Sequence, residues 1–331
     1  MRRFKKFLKI SGVTILSIIV VGYLYLKYSF FVPPKNQLTV ENSEKFIPFK
    51  WDSTKINNEI NRYAAILLPV KIKDCPKTFY MQFDLGTPST EFYKNKLEAI
   101  NQKFNNIPFE TKDGKTILTN YTFHINDLAL TSRRLKVNQY DSSTINWNDS
   151  TSFEIIGTVG NDFIENKVLI IDYPNSKILL SNKTPDSLLT KTKFTKFTYT
   201  NRKIFIPAKI GNDETDLFFD TGASTFELVT TKAKWKKLAA RDAKVYSYAL
   251  TSWGKNDMYF TSATNDSIKF GNGSYPIRNV TYQENSNKFA NWATPIFMKI
   301  ISVGGLSGNK LFLDKTIIFD TKNLDFGIVG K

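Results

Sequence analysis

The sequence predicts an all-β protein in the broad sense, mainly strands with short helices, built as two similar lobes in one chain behind an N-terminal apolar segment. Three observations predict this. Early in each copy an apolar strand runs into an aspartate followed two residues later by glycine: "FYMQFDLGTPST" holds Asp84 and Gly86, and "LFFDTGAST" holds Asp220 and Gly222. At the far ends, "GTVGNDFIENKVLIIDYPN" (Gly157 to Asn175) matches "GLSGNKLFLDKTIIFDTKN" (Gly305 to Asn323) without a gap. The third observation is an apolar run from Ile10 to Leu26, resuming after Lys27 as far as Val32.

In chain order, residues 1–9 are a basic tail with Arg2, Arg3, Lys5, Lys6 and Lys9 and no acid. Residues 10–32 read as a transmembrane signal anchor: Lys27 can snorkel beside Tyr23, Tyr25 and Tyr28, and Pro33 and Pro34 end the run. The positive-inside rule places the tail in the cytoplasm and everything beyond about Lys35 outside it. A cleaved signal peptide is the competing reading, although no small-x-small site follows the apolar core. Residues 33–60 are expected to be a linker and 61–182 the first lobe. That lobe opens with "LPVKI" at Leu68 to Ile72 and a turn, continues through the strand into Asp84, and reaches the helical pattern "EFYKNKLEAINQKF". Residues 183–203, rich in Lys and Thr, are expected to be a connector and 204–331 the second lobe. There "IPAKI", a turn, the strand into Asp220 and "FELVTTKAKWKKLAA" repeat the order.

Composition removes several classes of function. The formal charge of +16 is spread as Lys among Thr and Asn, with no nucleic-acid motif, so attraction to an anionic surface is the better reading. One cysteine, Cys75, cannot form an internal disulfide, and one histidine, His124, excludes the usual zinc sets and leaves little for a Ser-His-Asp mechanism. His124 falls on the polar side of the alternation in "YTFHIND". The lone cysteine points to a bacterial cell envelope. Asn-x-Ser/Thr sites such as Asn120 and Asn272 would matter only in a eukaryotic secretory pathway.

An aspartate ending an apolar strand loses hydration, so it must be neutralised, hydrogen-bonded or put to use. With a second such aspartate in the other copy, "FFDTGAST" followed by "GGLSGNKLF" resembles the aspartic peptidases of the pepsin and retropepsin class. "FDLGTPST" with "IIGTVGNDF" looks like that family's other lobe. The resemblance implies the two-lobe acid-protease fold, one retropepsin-like β-barrel per repeat. It implies an Asp84/Asp220 dyad shaped by Gly86, Thr87, Thr221 and Gly222, with no metal or cofactor. It also implies a peptide or protein substrate, and a monomer, since both lobes share one chain. Hairpins covering the cleft are expected at "KDGK", with Asp113 and Gly114, and at "TSWGKND", with Trp253. Two facing carboxyls share one proton, so an acid and a base coexist and can activate a water against a peptide carbonyl.

Three departures from the family pattern stand out. Leu85 replaces the hydroxyl residue that would reach across from the first lobe, leaving one cross-lobe bond unmade. Thr87 is expected to support Asp84 through its hydroxyl, whereas Ala223 offers Asp220 none. The first loop is one residue longer. The expected function is a membrane-anchored aspartic endopeptidase. The alternative is a catalytically silent ectodomain of the same shape that binds peptides or proteins, and a purely structural module would leave the two carboxyls far apart.

Overall fold

The computed structural model describes residues 35–41, 44–140, 142–149, 151–252 and 254–330, with 17, 21, 22 and 33. The tail 1–9, nearly all of the expected span 10–32, and Trp253 lie outside the described residues. Among the described residues, no helix is long and apolar enough to cross a membrane.

Three sheets organise the described chain: a nine-stranded sheet in the first lobe, a ten-stranded sheet in the second, and a six-stranded sheet shared between them. Alternation shapes the exposed strands, whereas Phe79–Phe83, which leads to Asp84, is buried along nearly its whole length. In Lys115–Ile125, Tyr121, Phe123 and Ile125 are buried while Thr122 and His124 face outward, which places the histidine on a solvated face. The strand that delivers each aspartate pairs in parallel with the strand from the far end of its own copy. Phe83 lies opposite Val159 in the first lobe and Phe219 opposite Ser307 in the second. The matching Gly-containing segments thus run beside the two aspartate loops. The helical patterns form Lys94–Phe104 and Lys232–Leu238. A longer helix, Lys288–Ile300, was not expected.

The shared sheet changes the picture of separate barrels. Its order is Thr192–Lys196, Asp325–Val329, Thr316–Asp320, Val168–Asp172, Lys177–Ser181, Phe46–Pro48. The two central strands come from the gap-free match, and Ile170, equivalent to Ile318, pairs with it directly. A residue paired with its own repeat equivalent marks a pseudo-twofold axis. The outer strands also correct two boundaries. The expected linker 33–60 holds Leu38–Glu41, Phe46–Pro48 and the first strand and turn of a long hairpin, Lys50–Ile56 with Glu59–Lys71. The expected connector 183–203 holds Thr192–Lys196 and Thr198–Thr200. These segments are the first strands of each repeat. They escaped notice because a short edge strand with an exposed-buried-exposed pattern, as in Phe46–Pro48, leaves almost no hydropathy signal.

One continuous apolar cluster joins the lobes, running from Phe83, Leu85 and Ile164 to Phe219, Phe312 and Phe319. On the other face of the shared sheet, Ile170 and Ile318 pack with Val168 and Leu179. Ile170→Ala or Ile318→Ala should each lower the unfolding free energy in urea by about 2–4 kcal/mol, because both sites are closed on all sides. A loss below about 1 kcal/mol in both would mean that the shared sheet does not hold the lobes together.

Candidate active site

Asp84 and Asp220 end their strands in contact with each other. Their carboxyl groups are hydrogen-bonded together; Asp84 is buried and Asp220 half-buried. The supports repeat across the twofold. Asp84 N–H donates to Val159 O and Asp220 N–H to Ser307 O, both at 3.0 Å. Gly86 N–H donates to Asp84 Oδ1 at 2.8 Å and Gly222 N–H to Asp220 Oδ1 at 2.7 Å.

The glycines are required by the neighbour, not only by the turn. A Cβ on Gly86 would sit 2.5 Å from the carboxyl carbon and both oxygens of Asp220, and one on Gly222 would sit 2.6 Å from those of Asp84. Each lobe therefore presents bare backbone to the other lobe's carboxyl.

Burial is the main reason that Asp84 holds its proton far above the ordinary carboxyl range, and the charge of Asp220 and the bond to it add to this. Asp220 is also raised by burial, but the bond from Asp84 and the N–H groups of Gly222, Ala223 and Gly86 favour its ionised form. Both carboxyls are raised, and two carboxyls in contact do not readily ionise together, so the pair is expected to keep one proton between them. Chemically, one group can donate a proton while its neighbour accepts one.

Thr221 is fully buried and ties the loops together from one side. Its hydroxyl accepts from Leu85 N–H and donates to Phe83 O, each at 2.8 Å. Leu85 makes no reciprocal hydroxyl contact, as its chemistry dictates. Its side chain is instead fully buried in the core cluster, so the position contributes packing. The expected Thr87 hydroxyl support is corrected. Among the described residues no hydrogen bond runs from the Thr87 hydroxyl to Asp84; Thr87 N–H donates to Asp84 O at 3.3 Å, as Ala223 N–H does to Asp220 O at 3.2 Å, closing the same tight turn. Thr87 and Ala223 are thus equivalent despite their different side chains.

Asn161 and Asn309, aligned in sequence but given no role there, prove to be loop holders. The Asn161 amide donates to Leu85 O, and the Asn309 amide to Thr221 O at 2.9 Å and Ser224 Oγ at 2.6 Å. Tyr173 from the first copy donates to Asn309 Oδ1 at 2.6 Å, while Tyr199 from the second donates to Asn161 O at 2.9 Å. A buried asparagine must find partners, so the paired, unexplained asparagines were the available signal. For Tyr199 the signal was "FTKFTY", which mirrors "FIPFKW" ahead of the first lobe.

Asp113 and Gly114 form the exposed tip of the Phe109–Lys112/Lys115–Ile125 hairpin, with φ of 52° and 69°. Among the described residues, no hydrogen bond links this tip to the aspartates. The second-lobe hairpin, Tyr246–Ser252 with Lys255–Ala263, turns at Gly254, where a Cβ would stand 3.0 Å from Tyr140 O of the first lobe. That tip therefore reaches across between the lobes. Tyr259 of this hairpin, also missed in sequence, stacks on Phe226 at 4.9 Å. Its phenol is pushed up to about 12, chiefly by burial, with the charge of Asp220 among the lesser causes. A cleft of about 560 Å³ opens beside Phe226, between Tyr248 and Asn57–Asn58 at the tip of the long first-lobe hairpin.

No protein-family model matches the chain, and no curated protein matches it. Among solved structures, the chain is similar to the aspartic proteinase from Irpex lacteus, at 13% identity, with 88% of this chain and 98% of that chain covered and a TM-score of 0.45.

Two outcomes follow from these bonds. Thr221→Val strands the buried Leu85 N–H and Phe83 carbonyl, so chemical denaturation should show a loss on the order of 2–4 kcal/mol, with Thr221→Ser recovering most of it. Equal stability of the Val and Ser variants would remove the hydroxyl from the account. Asp162, which accepts from Thr90 N–H and Oγ, is pushed up to about 6 by burial. A folded-state pKa above the unfolded one means the native protein binds the proton more tightly. Stability should then fall as pH rises from about 4 through about 6 and level off above. Asp162→Asn should flatten that part of the stability curve; an unchanged slope would contradict the assignment.

Proposed function

We propose that the chain is a membrane-anchored aspartic endopeptidase that hydrolyses peptide bonds with a water held between Asp84 and Asp220. The observation carrying this reading is that two carboxyls from equivalent positions of a duplicated chain lie in hydrogen-bonding contact, one buried and one half-buried, and both hold their protons above the ordinary range. A structural acid has no need of a buried like-charged partner. Asp220 takes a proton from the water as its oxygen adds to the peptide carbonyl carbon, and Asp84 gives its proton to the carbonyl oxygen. In the second half, Asp220 returns its proton to the leaving nitrogen, and Asp84 recovers one from a hydroxyl of the tetrahedral intermediate as the C–N bond breaks. The basic tail ahead of the apolar residues 10–32 supports a position of this body outside the cytoplasm, and the single cysteine supports a bacterial envelope as the setting.

The test is cleavage of a mixed peptide library across pH, read by mass spectrometry. The parent should cleave, while Asp84→Asn and Asp220→Asn should each lose turnover by at least about 10³-fold with melting behaviour retained. The rate should rise as the first proton leaves the pair. It should fall only when the second leaves Asp84, at a pH above the ordinary carboxyl range, because burial holds that proton. Turnover surviving in either variant would mean the dyad is not the reacting pair, and no cleavage by the parent at any pH would leave a silent peptide-binding body.

A further inference from the structure

The helix Lys288–Ile300 packs over an apolar groove of about 450 Å³, with Phe297, Met298 and Ile301 facing Phe205, Phe218 and Leu306 of the sheet. Its opposite side is apolar as well. Phe289, Trp292, Ile296 and Ile300 are 68%, 65%, 46% and 70% exposed. At 100° per residue these four fall within about 80° of arc, forming one stripe. The Phe289 and Trp292 rings lie against each other, 5.6 Å between centroids, and present a continuous apolar surface. A helix apolar on both sides is not stable against water on one of them, so this stripe calls for a cover.

The charges indicate which cover. Lys288 and Lys299 stand at the two ends of the helix on the same flank of the stripe, and no Asp or Glu occurs between Glu284 and Asp314. Tryptophan and phenylalanine flanked by lysines, without acids, make a face that fits the boundary between headgroups and acyl chains of an anionic bilayer. At 13 residues the helix is about 20 Å long, too short to span and suited to lying flat. The start of the chain points the same way. Asn36 is fixed to the body by its amide bond to Asp162 O at 2.9 Å, and Leu38–Glu41 pairs in the first-lobe sheet. Val32, where the expected span ends, is only four residues before Asn36, at most about 14 Å of extended chain. A body held on so short a lead is kept at the bilayer surface.

We propose that Lys288–Ile300 is an interfacial helix that seats the Phe289, Trp292, Ile296 and Ile300 stripe into an anionic lipid surface. The tether argument rests on the anchor reading above; the stripe and its flanking lysines do not.

The experiment uses the full chain in vesicles of phosphatidylethanolamine and phosphatidylglycerol. In a Cys75→Ser background, an environment-sensitive fluorophore is placed at Ile296→Cys, Ile300→Cys or, as an aqueous control, Asn58→Cys on the exposed hairpin tip. Brominated acyl chains should quench positions 296 and 300 at least about two-fold and leave 58 unchanged, and iodide should do the reverse. Phe289→Ser with Trp292→Ser should reduce the lipid quenching at 300 while circular dichroism is unchanged. Iodide access at 296 and 300 equal to that at 58 would overturn the proposal. So would shielding of both positions without lipid in a chain that runs as a dimer, which would make a second copy the cover. Alkaline carbonate extraction tests the anchor separately. Release of the chain would remove the anchor reading while the acyl-chain quenching still decides the helix.

Discussion

Two carboxyl groups held in contact, one buried and one half-buried, form an arrangement that opposes folding unless a proton, backbone donors and rigid neighbours compensate. Much of the architecture around Asp84 and Asp220 answers that demand. The shared sheet fixes the two copies about one axis, with Ile170 against Ile318. The parallel strands bring Val159 and Ser307 to the aspartate N–H groups. Asn161 and Asn309 then hold the loop carbonyls from behind, each assisted by a tyrosine from the opposite copy. Removing any of these loosens the carboxyl contact first, because that contact is the least favourable part of the structure to maintain.

Two carboxyls that share one proton are already an acid and a base, and here the copies around them are unequal as well. The inequality here begins one residue after each aspartate. Thr221 supplies a hydroxyl that bonds two main-chain groups of the first lobe, whereas Leu85 supplies apolar volume at the equivalent place. Both carboxyls are raised by burial, and at Asp84 the charge of Asp220 adds to it. The loss of one hydroxyl bridge therefore does not leave a gap. Leu85 offsets it through the core cluster, and the half of the bridge that remains is made by a residue with no exposed surface.

The duplication, the two aspartate loops and their glycines were legible because each rests on a residue type that geometry dictates. An apolar strand, a carboxylate and a residue without a side chain leave few alternatives. The far ends were legible because Gly157 to Asn175 and Gly305 to Asn323 match without a gap. Phe46–Pro48 and Thr192–Lys196 were not, since short edge strands are specified by the sheet they join rather than by their own pattern. Thr87 was misread for a related reason: its side chain is what a sequence displays, while its N–H is what the loop uses. The roles of Asn309 and Tyr173 needed the fold, because 136 residues separate the partners of that hydrogen bond. Lys288–Ile300 carries Pro295 within it, which argues against a helix until the loop before Val303 has to be closed.

The proposed chemistry requires Asp84 and Asp220 to hold one proton between them. Carbon-13 NMR of side-chain-labelled aspartate, followed across pH and assigned with the Asp84→Asn and Asp220→Asn proteins, measures this directly. The account predicts two coupled steps. The upper one should lie well above the ordinary aspartate range, carried mainly by Asp84, and it should move down when Asp220 is made neutral. Two independent titrations near the ordinary value of about 3.9, unaffected by replacing the partner, would contradict it.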